Sequence, residues 1–146
     1  MATVTIGEGV KNLSSDAFTG CNQLKTVFFN AKKCEEAYSP FNMVTKLIFG
    51  ENVEVLPAGI AYDCFSLTEA NIPNNVKTIE ECAFEKCSNL LEIIIPGSVT
   101  KIGKNAFKGC NGLKINVCNG ITTIGDDFTF NGCSGVTETS NPQLRA

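Results

Sequence analysis

The 146-residue chain contains no histidine and no tryptophan, and it has only two tyrosines and two methionines. Without histidine it lacks the usual base for a serine or cysteine nucleophile and the commonest metal ligand. No apolar run approaches the roughly 20 residues a membrane helix requires, so membrane insertion is not expected. Met1 leads directly into strand-like VTI rather than a basic and then an apolar segment, so no secretory signal is read here. Low-complexity runs and linker-like stretches are also missing, and residues 1–146 read as one folded domain. Cationic charge is sparse: twelve Lys and Arg against fifteen Asp and Glu leave a net charge of −3. Lys32 and Lys33 form the only basic doublet, answered at once by Glu35 and Glu36. Nucleic acid, which demands clustered basic charge, is therefore not an expected partner.

What is plentiful is cysteine, and it keeps a period. Cys21, Cys64, Cys87, Cys110 and Cys133 are separated by 43, 23, 23 and 23 residues, and the first gap divides into 20 and 23 with Phe41 at the division. A fixed period in the twenties marks a solenoid, in which each repeat buries its apolar face only against its neighbours. Six rungs are expected. Other columns keep the same beat: Leu24, Val44, Leu67, Leu90, Leu113 and Val136 three residues after each rung, then Val27, Leu47, Ala70 and Ile93, then Phe29, Phe49, Ile72 and Ile95. Val4 and Ile6 fit the last two columns one period earlier. A further pair, Val10 and Leu13, recurs as Val53 and Leu56, Val76 and Ile79, Val99 and Ile102, and Ile121 and Ile124. An aromatic column, Phe18, Tyr38, Phe84, Phe107 and Phe130, precedes the cysteines by three, with Ala61 as its gap.

The period translates into local structure. Alternation in VTKLIF and LLEIII, enriched in β-branched residues, reads as short strands. Pro, Gly or Asn after each strand (Gly7, Asn30, Gly50, Pro73, Pro96, Pro142) turns the chain out of it. VTKIG then reads as a second short extended stretch. Asp16, Asn105 or Asp127 stands where a side-chain oxygen caps a short helical turn, and Gly20, Gly109 and Gly132 close that turn in the left-handed conformation.

The most regular unit, IPGSVTKIGKNAFKGCNGLK over 95–114, resembles the BspA-like leucine-rich repeats, whose units read IPxSVTxIGxxAFxGCxxLxxI. The resemblance extends with drift from Thr3 to about Val136. It implies a leucine-rich repeat solenoid, a curved right-handed coil with a parallel sheet on the concave face. Short strands and helical turns would form the convex side, and the period is about 23 residues. Two stretches depart from the pattern. The second unit is three residues short, lacks VTxIG and carries Phe41 for cysteine. In the fifth, Ile115 and Val117 come one residue early; an ungapped register would turn Asn116 and Cys118 inward, and the shifted reading with Ile115 and Val117 inward is preferred.

The cysteines invite three explanations. Stacked rungs lie within disulfide reach, but their side chains run parallel rather than converging, so reduced packing thiols fit the ladder better. Zinc is poorly supported, because no CxxC pair exists. Cys34, Cys82 and Cys118 lie off the ladder, and Cys82, standing where other units carry a polar cap, is the best placed for a reactive thiol. Adjacent carboxylates at Glu35 and Glu36, Glu80 and Glu81, and Asp126 and Asp127 read as polar surface or caps rather than an acid/base couple. No glycine-rich phosphate loop is present. The chain is read as non-enzymatic, with no cofactor and no metal.

What remains is a surface. Residues between the buried columns of each strand point outward. In stacking order they give one row of Thr3, Thr26, Lys46, Glu69, Glu92 and Glu138, and a second of Thr5, Phe28, Ile48, Asn71, Ile94 and Ser140. The candidate binding face is accordingly Thr26, Phe28, Lys46, Ile48, Glu69, Asn71, Glu92 and Ile94, with the apolar Phe28, Ile48 and Ile94 as its anchors. Strand propensity alone also accounts for Ile and Phe there. Two functions fit. One is a protein-interaction or adhesion module; the resemblance implies a cell-surface or secreted protein and a partner that is a host matrix protein or another cell-surface protein. The other is a structural spacer or self-assembling segment of a larger protein, pairing end to end with another copy and compatible with a cytoplasmic location.

Overall fold

The computed structural model describes residues 2–138 apart from 39, 42, 119, 120, 122 and 127. Among the described residues eleven strands run in chain order: β1 Ala2–Ile6, β2 Leu24–Phe29, β3 Lys46–Phe49, β4 Val55–Leu56, β5 Glu69–Ala70, β6 Thr78–Ile79, β7 Glu92–Ile95, β8 Lys101–Ile102, β9 Lys114–Val117, β10 Thr123–Ile124 and β11 Gly135–Glu138. Among the described residues all pairings are parallel: the longer strands and the two-residue β5 stack along the front, while the two-residue β4, β6, β8 and β10 form the back, preceded by single bridges of Glu36 to Asn12 and to Ala58. The chain folds as the solenoid the period predicts, in the leucine-rich repeat form the resemblance implies. Among the described residues no helix forms: the expected helical turns are chains of tight turns.

The turns explain why they do not propagate. The residue before each ladder cysteine takes a positive φ at Gly20 (84°), Asp63 (56°), Lys86 (64°), Gly109 (75°) and Gly132 (86°). A second left-handed position, four residues earlier, is held by Gly59, Cys82 and Asn105. In these three coils left-handed residues at both ends confine the turn to a single cycle. Asn105 is therefore a left-handed turn residue rather than a helix cap. In the last unit it is Asp126 that caps, its Oδ1 accepting the Phe128 N–H at 3.1 Å and the Thr129 hydroxyl at 3.3 Å; Asp127 and Pro142 lie outside the described residues.

The core is the stack of columns. Val27, Leu47, Ile93 and Ile115, and Phe29, Phe49, Ile95 and Val117, are buried. Ile115 and Val117 thus face inward, and the shifted register is the one adopted. Phe84, Phe107 and Phe130 stack face to face, with centroids 5.4 and 5.9 Å apart. Such pairs contribute about 0.5–1.5 kcal/mol each beyond their buried area. The short second unit breaks this column for a local reason. Pro40 stands where other units have the left-handed residue, and its ring fixes φ near −65°. Tyr38 is left 40% exposed, and Phe41 swings its ring to within 5.4 Å of Phe18. Phe41 keeps the backbone place of the missing cysteine, accepting the Val44 N–H at 3.0 Å, while its side chain fills the aromatic column.

Four of the five ladder thiols donate to a carbonyl of the preceding coil: Cys64 to Phe41 at 2.8 Å, Cys87 to Ala61 at 3.1 Å, Cys110 to Phe84 at 2.9 Å and Cys133 to Phe107 at 3.2 Å. Cys64, Cys87 and Cys110 are buried, whereas Cys21, in the first coil, is exposed and Cys133 is intermediate. The ladder marks the interior only where a coil lies on both sides.

The front sheet is divided. Strands β1-β2-β3-β5 form one sheet and β7-β9-β11 another, while β4-β6-β8-β10 run unbroken along the back. Proline is the cause. The residue after each strand normally donates its N–H one coil back, as Asn30 does to Ile6 (2.8 Å), Gly50 to Phe29 (2.9 Å) and Cys118 to Ile95 (2.9 Å). Pro73 and Pro96 occupy that place in two successive coils and have no N–H to give. For Pro73 the side chain of Asn71 substitutes: its Oδ1 accepts the Phe49 N–H at 3.0 Å and its Nδ2 donates to the Phe49 carbonyl at 3.2 Å. For Pro96 no substitute appears among the described residues, and β5 and β7 stay unpaired.

Candidate interaction surface

The front sheet aligns the outward side chains in rows. In the first panel Thr3 lies beside Thr26, Thr26 beside Lys46, and Lys46 beside Glu69; in the second row Thr5 adjoins Phe28, and Phe28 adjoins Ile48. Across the division the rows resume as Glu92 with Lys114 and Ile94 with Asn116. Thr26, Phe28, Lys46, Ile48 and Glu69 are thus brought together on one panel, and Glu92 and Ile94 stand on the other. Asn71 is drawn out of the face: both ends of its amide are spent on the Phe49 backbone. Sequence spacing cannot reveal this, because it depends on the missing donor of Pro73.

Two further corrections concern the last coil. Gly135 pairs with Lys114 and Thr137 with Asn116, so Glu138 falls opposite the buried Val117 rather than in the row of Glu92. Val136 lies beside Ile115, one column later than its spacing from Cys133 suggests. Ser140 lies outside the described residues. Lys114 and Asn116 belong to the face, a consequence of the inward register of Ile115 and Val117.

Chemically the first panel is uncharged in sum. Lys46 Nζ lies 3.0 Å from Glu69 Oε2, both side chains remaining about half exposed, so the pair stabilises little, at most about 1 kcal/mol. Beside it Phe28 is 41% exposed, and on the second panel Ile94 is 54% exposed. A ring and branched aliphatics standing free on a sheet flanked by threonines offer apolar area with polar edges, which suits a protein surface more than a small polar ligand.

The back presents a contrasting feature. Stacking brings Glu35 and Glu36 together with Glu80 and Glu81 around an open groove of about 540 Å³ that also includes Tyr38. Burial, then the neighbouring Cys82 thiol and the carboxylates of Glu81, Glu36 and Glu85, push the Tyr38 phenol upward. Among the described residues no group of three or more acidic or cysteine side chains has a metal-binding arrangement. Cys82, the candidate reactive thiol, is pushed up to about 12 by burial and by the carboxylates of Glu85 and Glu81. It stays a thiol at neutral pH, when nucleophilic attack needs the thiolate.

The family described as BspA type Leucine rich repeat region matches residues 1–39 and 34–137, in six copies. The chain belongs to this family. A leucine-rich repeat protein from Bacteroides ovatus, known from a crystal structure, is 30% identical with a TM-score of 0.74 over 92% of this chain and 35% of its own. A leucine rich cell surface protein from Faecalibacterium prausnitzii shares the fold at 19% identity, with a TM-score of 0.51 over 94% of this chain and 60% of its own. This BspA-type chain therefore spans about a third of the first relative and three fifths of the second. No curated protein matches it. Leucine-rich repeat proteins of this kind are in general protein-interaction modules.

Proposed function

We propose that this BspA-type repeat is a non-enzymatic interaction or adhesion module that engages a macromolecular partner through its front sheet. The observation that carries the reading is the pair Phe28 and Ile48, adjacent in register on β2 and β3 and pointing away from the core. Thr26 and the Lys46–Glu69 pair frame them, and Glu92 and Ile94 extend the face onto the second panel. The partner is a protein of the host matrix or of a cell surface, in keeping with a surface location; the name of the Faecalibacterium relative points the same way. Replacing both anchors, Phe28→Asp with Ile48→Asp, tests this. The double variant should stay folded and monomeric yet lose capture by an immobilised extracellular-matrix preparation; undiminished capture would move the site elsewhere.

One observation favours a second reading, a spacer that assembles end to end. β1 is an edge strand, and Val4, Val10, Leu13 and Phe18 of its coil are only partly buried. Light scattering at high concentration separates the two, since the spacer reading requires dimers or chains.

A further inference from the structure

The division of the front sheet is confined to one side of one coil interface. At that interface the back strands remain paired, Thr78 with Lys101 and Ile79 with Ile102. The flanking turns are also stitched, Gly59 to Glu81 (3.0 Å), Ala61 to Ala83 (2.8 Å) and Asp63 to Glu85 (2.8 Å). Only the front is open. The side chains there pack less well too. Ala70 is the smallest residue in its column, shared with Val27, Leu47, Ile93 and Ile115. Ile72 is 8% exposed, whereas Phe29 and Ile95 in its own column are at 0%. A groove of about 450 Å³ follows the gap, with Ala70, Ile72, Ile94 and Pro96 among its lining.

We propose that this seam between β5 and β7 is an articulation: the two front panels open against each other there, about the back strands and the flanking turns, while each panel keeps its fold. The reasoning is that of a one-dimensional array. A solenoid's stability is a sum of coil and nearest-neighbour terms, and the interface with fewest ladder bonds and least buried apolar area opens first. The interfaces on either side contrast with it: β3 and β5 pair over two residues and are joined further by the Asn71 amide on the Phe49 backbone, and β7 and β9 pair over four. The sequence origin is explicit. Pro96 removes the donor that would close the Ile72 carbonyl, and Asn71 spends its amide one coil back. The inference is independent of what the face binds.

Residue-resolved amide hydrogen exchange on the whole chain, repeated at rising urea, tests it. In the intact ladder of β9 the Lys114 N–H donates to Leu91 at 3.0 Å. The equivalent amides at the seam, Glu92 and Ile94, should exchange at least about 100-fold faster than Lys114 and Asn116. The core amides of β2–β3 and β7–β9 should then lose protection at different urea concentrations. A repair variant, Ala70→Ile with Pro96→Ala, restores both bulk and donor and should slow exchange at Ile94 at least about tenfold. Should the repair variant not fold, the wild-type profile alone decides. Protection of Ile94 equal to that of Asn116, or one opening free energy shared by both panels, would overturn the proposal.

Discussion

Replacing Cys87 by alanine probes the packing role of the cysteine ladder. The side chain is fully buried, and its thiol donates to the Ala61 carbonyl at 3.1 Å. Moving a small apolar group of this size from water into the core contributes about 1 kcal/mol. The space it leaves between two coils adds roughly 0.5 kcal/mol, because stacked backbones collapse poorly. The hydrogen bond contributes about 0.5 kcal/mol, the low end for a weak donor. No orphan penalty arises, since Ala61 still accepts the Cys64 N–H at 3.1 Å. The expected loss is about 2 kcal/mol, or a fall in Tm of roughly 4–8 °C for a domain of this size. Cys21→Ala, the same change in the same column at an exposed position, should cost less than about 0.5 kcal/mol. Urea denaturation of both variants under reducing conditions measures the contrast. Equal effects, or a bridge between Cys87 and Cys110 found by mass spectrometry, would refute the packing argument.

Alkaline pH should unfold the protein through the same thiols. Burial pushes Cys64, and likewise Cys133, from 9.0 up to about 12. Their contribution is complete below pH 9, where folded and unfolded chains both hold the protons, and it falls as pH rises to 12, where only the unfolded chain has released them. The limiting slope is about 1.4 kcal/mol per pH unit for a fully buried thiol; Cys64→Ala should flatten the stability profile above pH 9, and an unchanged profile would count against the burial argument. The left-handed turn column gives a prediction of opposite signs, read by thermal unfolding. Lys86→Gly should stabilise by roughly 0.5–1 kcal/mol by relieving a side chain at φ 64°, and Gly109→Ala should destabilise by about 1 kcal/mol at φ 75°. Identical signs would mean that the column does not govern the turn.

Most of the architecture was legible in the sequence because a solenoid repeats its physics. The columns that recur at 23 residues line the interior of the central coils and open only at exceptions such as Cys21 and Tyr38, and the inward choice of Ile115 and Val117 follows from the alternation of a strand. The misreadings have single physical origins. A cap and a glycine bracketing a turn suggest a helical turn at Asn105, but left-handed residues at Asn105 and Gly109, four apart, leave no room for a helix. Spacing puts Phe41 on the cysteine rung, and the backbone agrees; its ring fills the aromatic column because Pro40 cannot make the left-handed bend. Asn71 was placed on the binding face by alternation, and the missing N–H of Pro73 drew it onto the Phe49 backbone. Spacing says where a residue falls, whereas hydrogen bonds owed to a neighbouring coil decide what its side chain does. The meeting of Glu35 and Glu36 with Glu80 and Glu81 required the same knowledge of stacking.

The front and the back of the solenoid carry separate sets of carboxylates, and this permits a direct test of which side works. Carbodiimide labelling with a small amine, read by mass spectrometry with and without the immobilised matrix preparation, reports the exposure of each. Binding through the front sheet predicts that Glu69 and Glu92 become protected while Glu35, Glu36, Glu80 and Glu81 label as before. Protection of those four with Glu69 and Glu92 unchanged would contradict it and assign the interaction to the back.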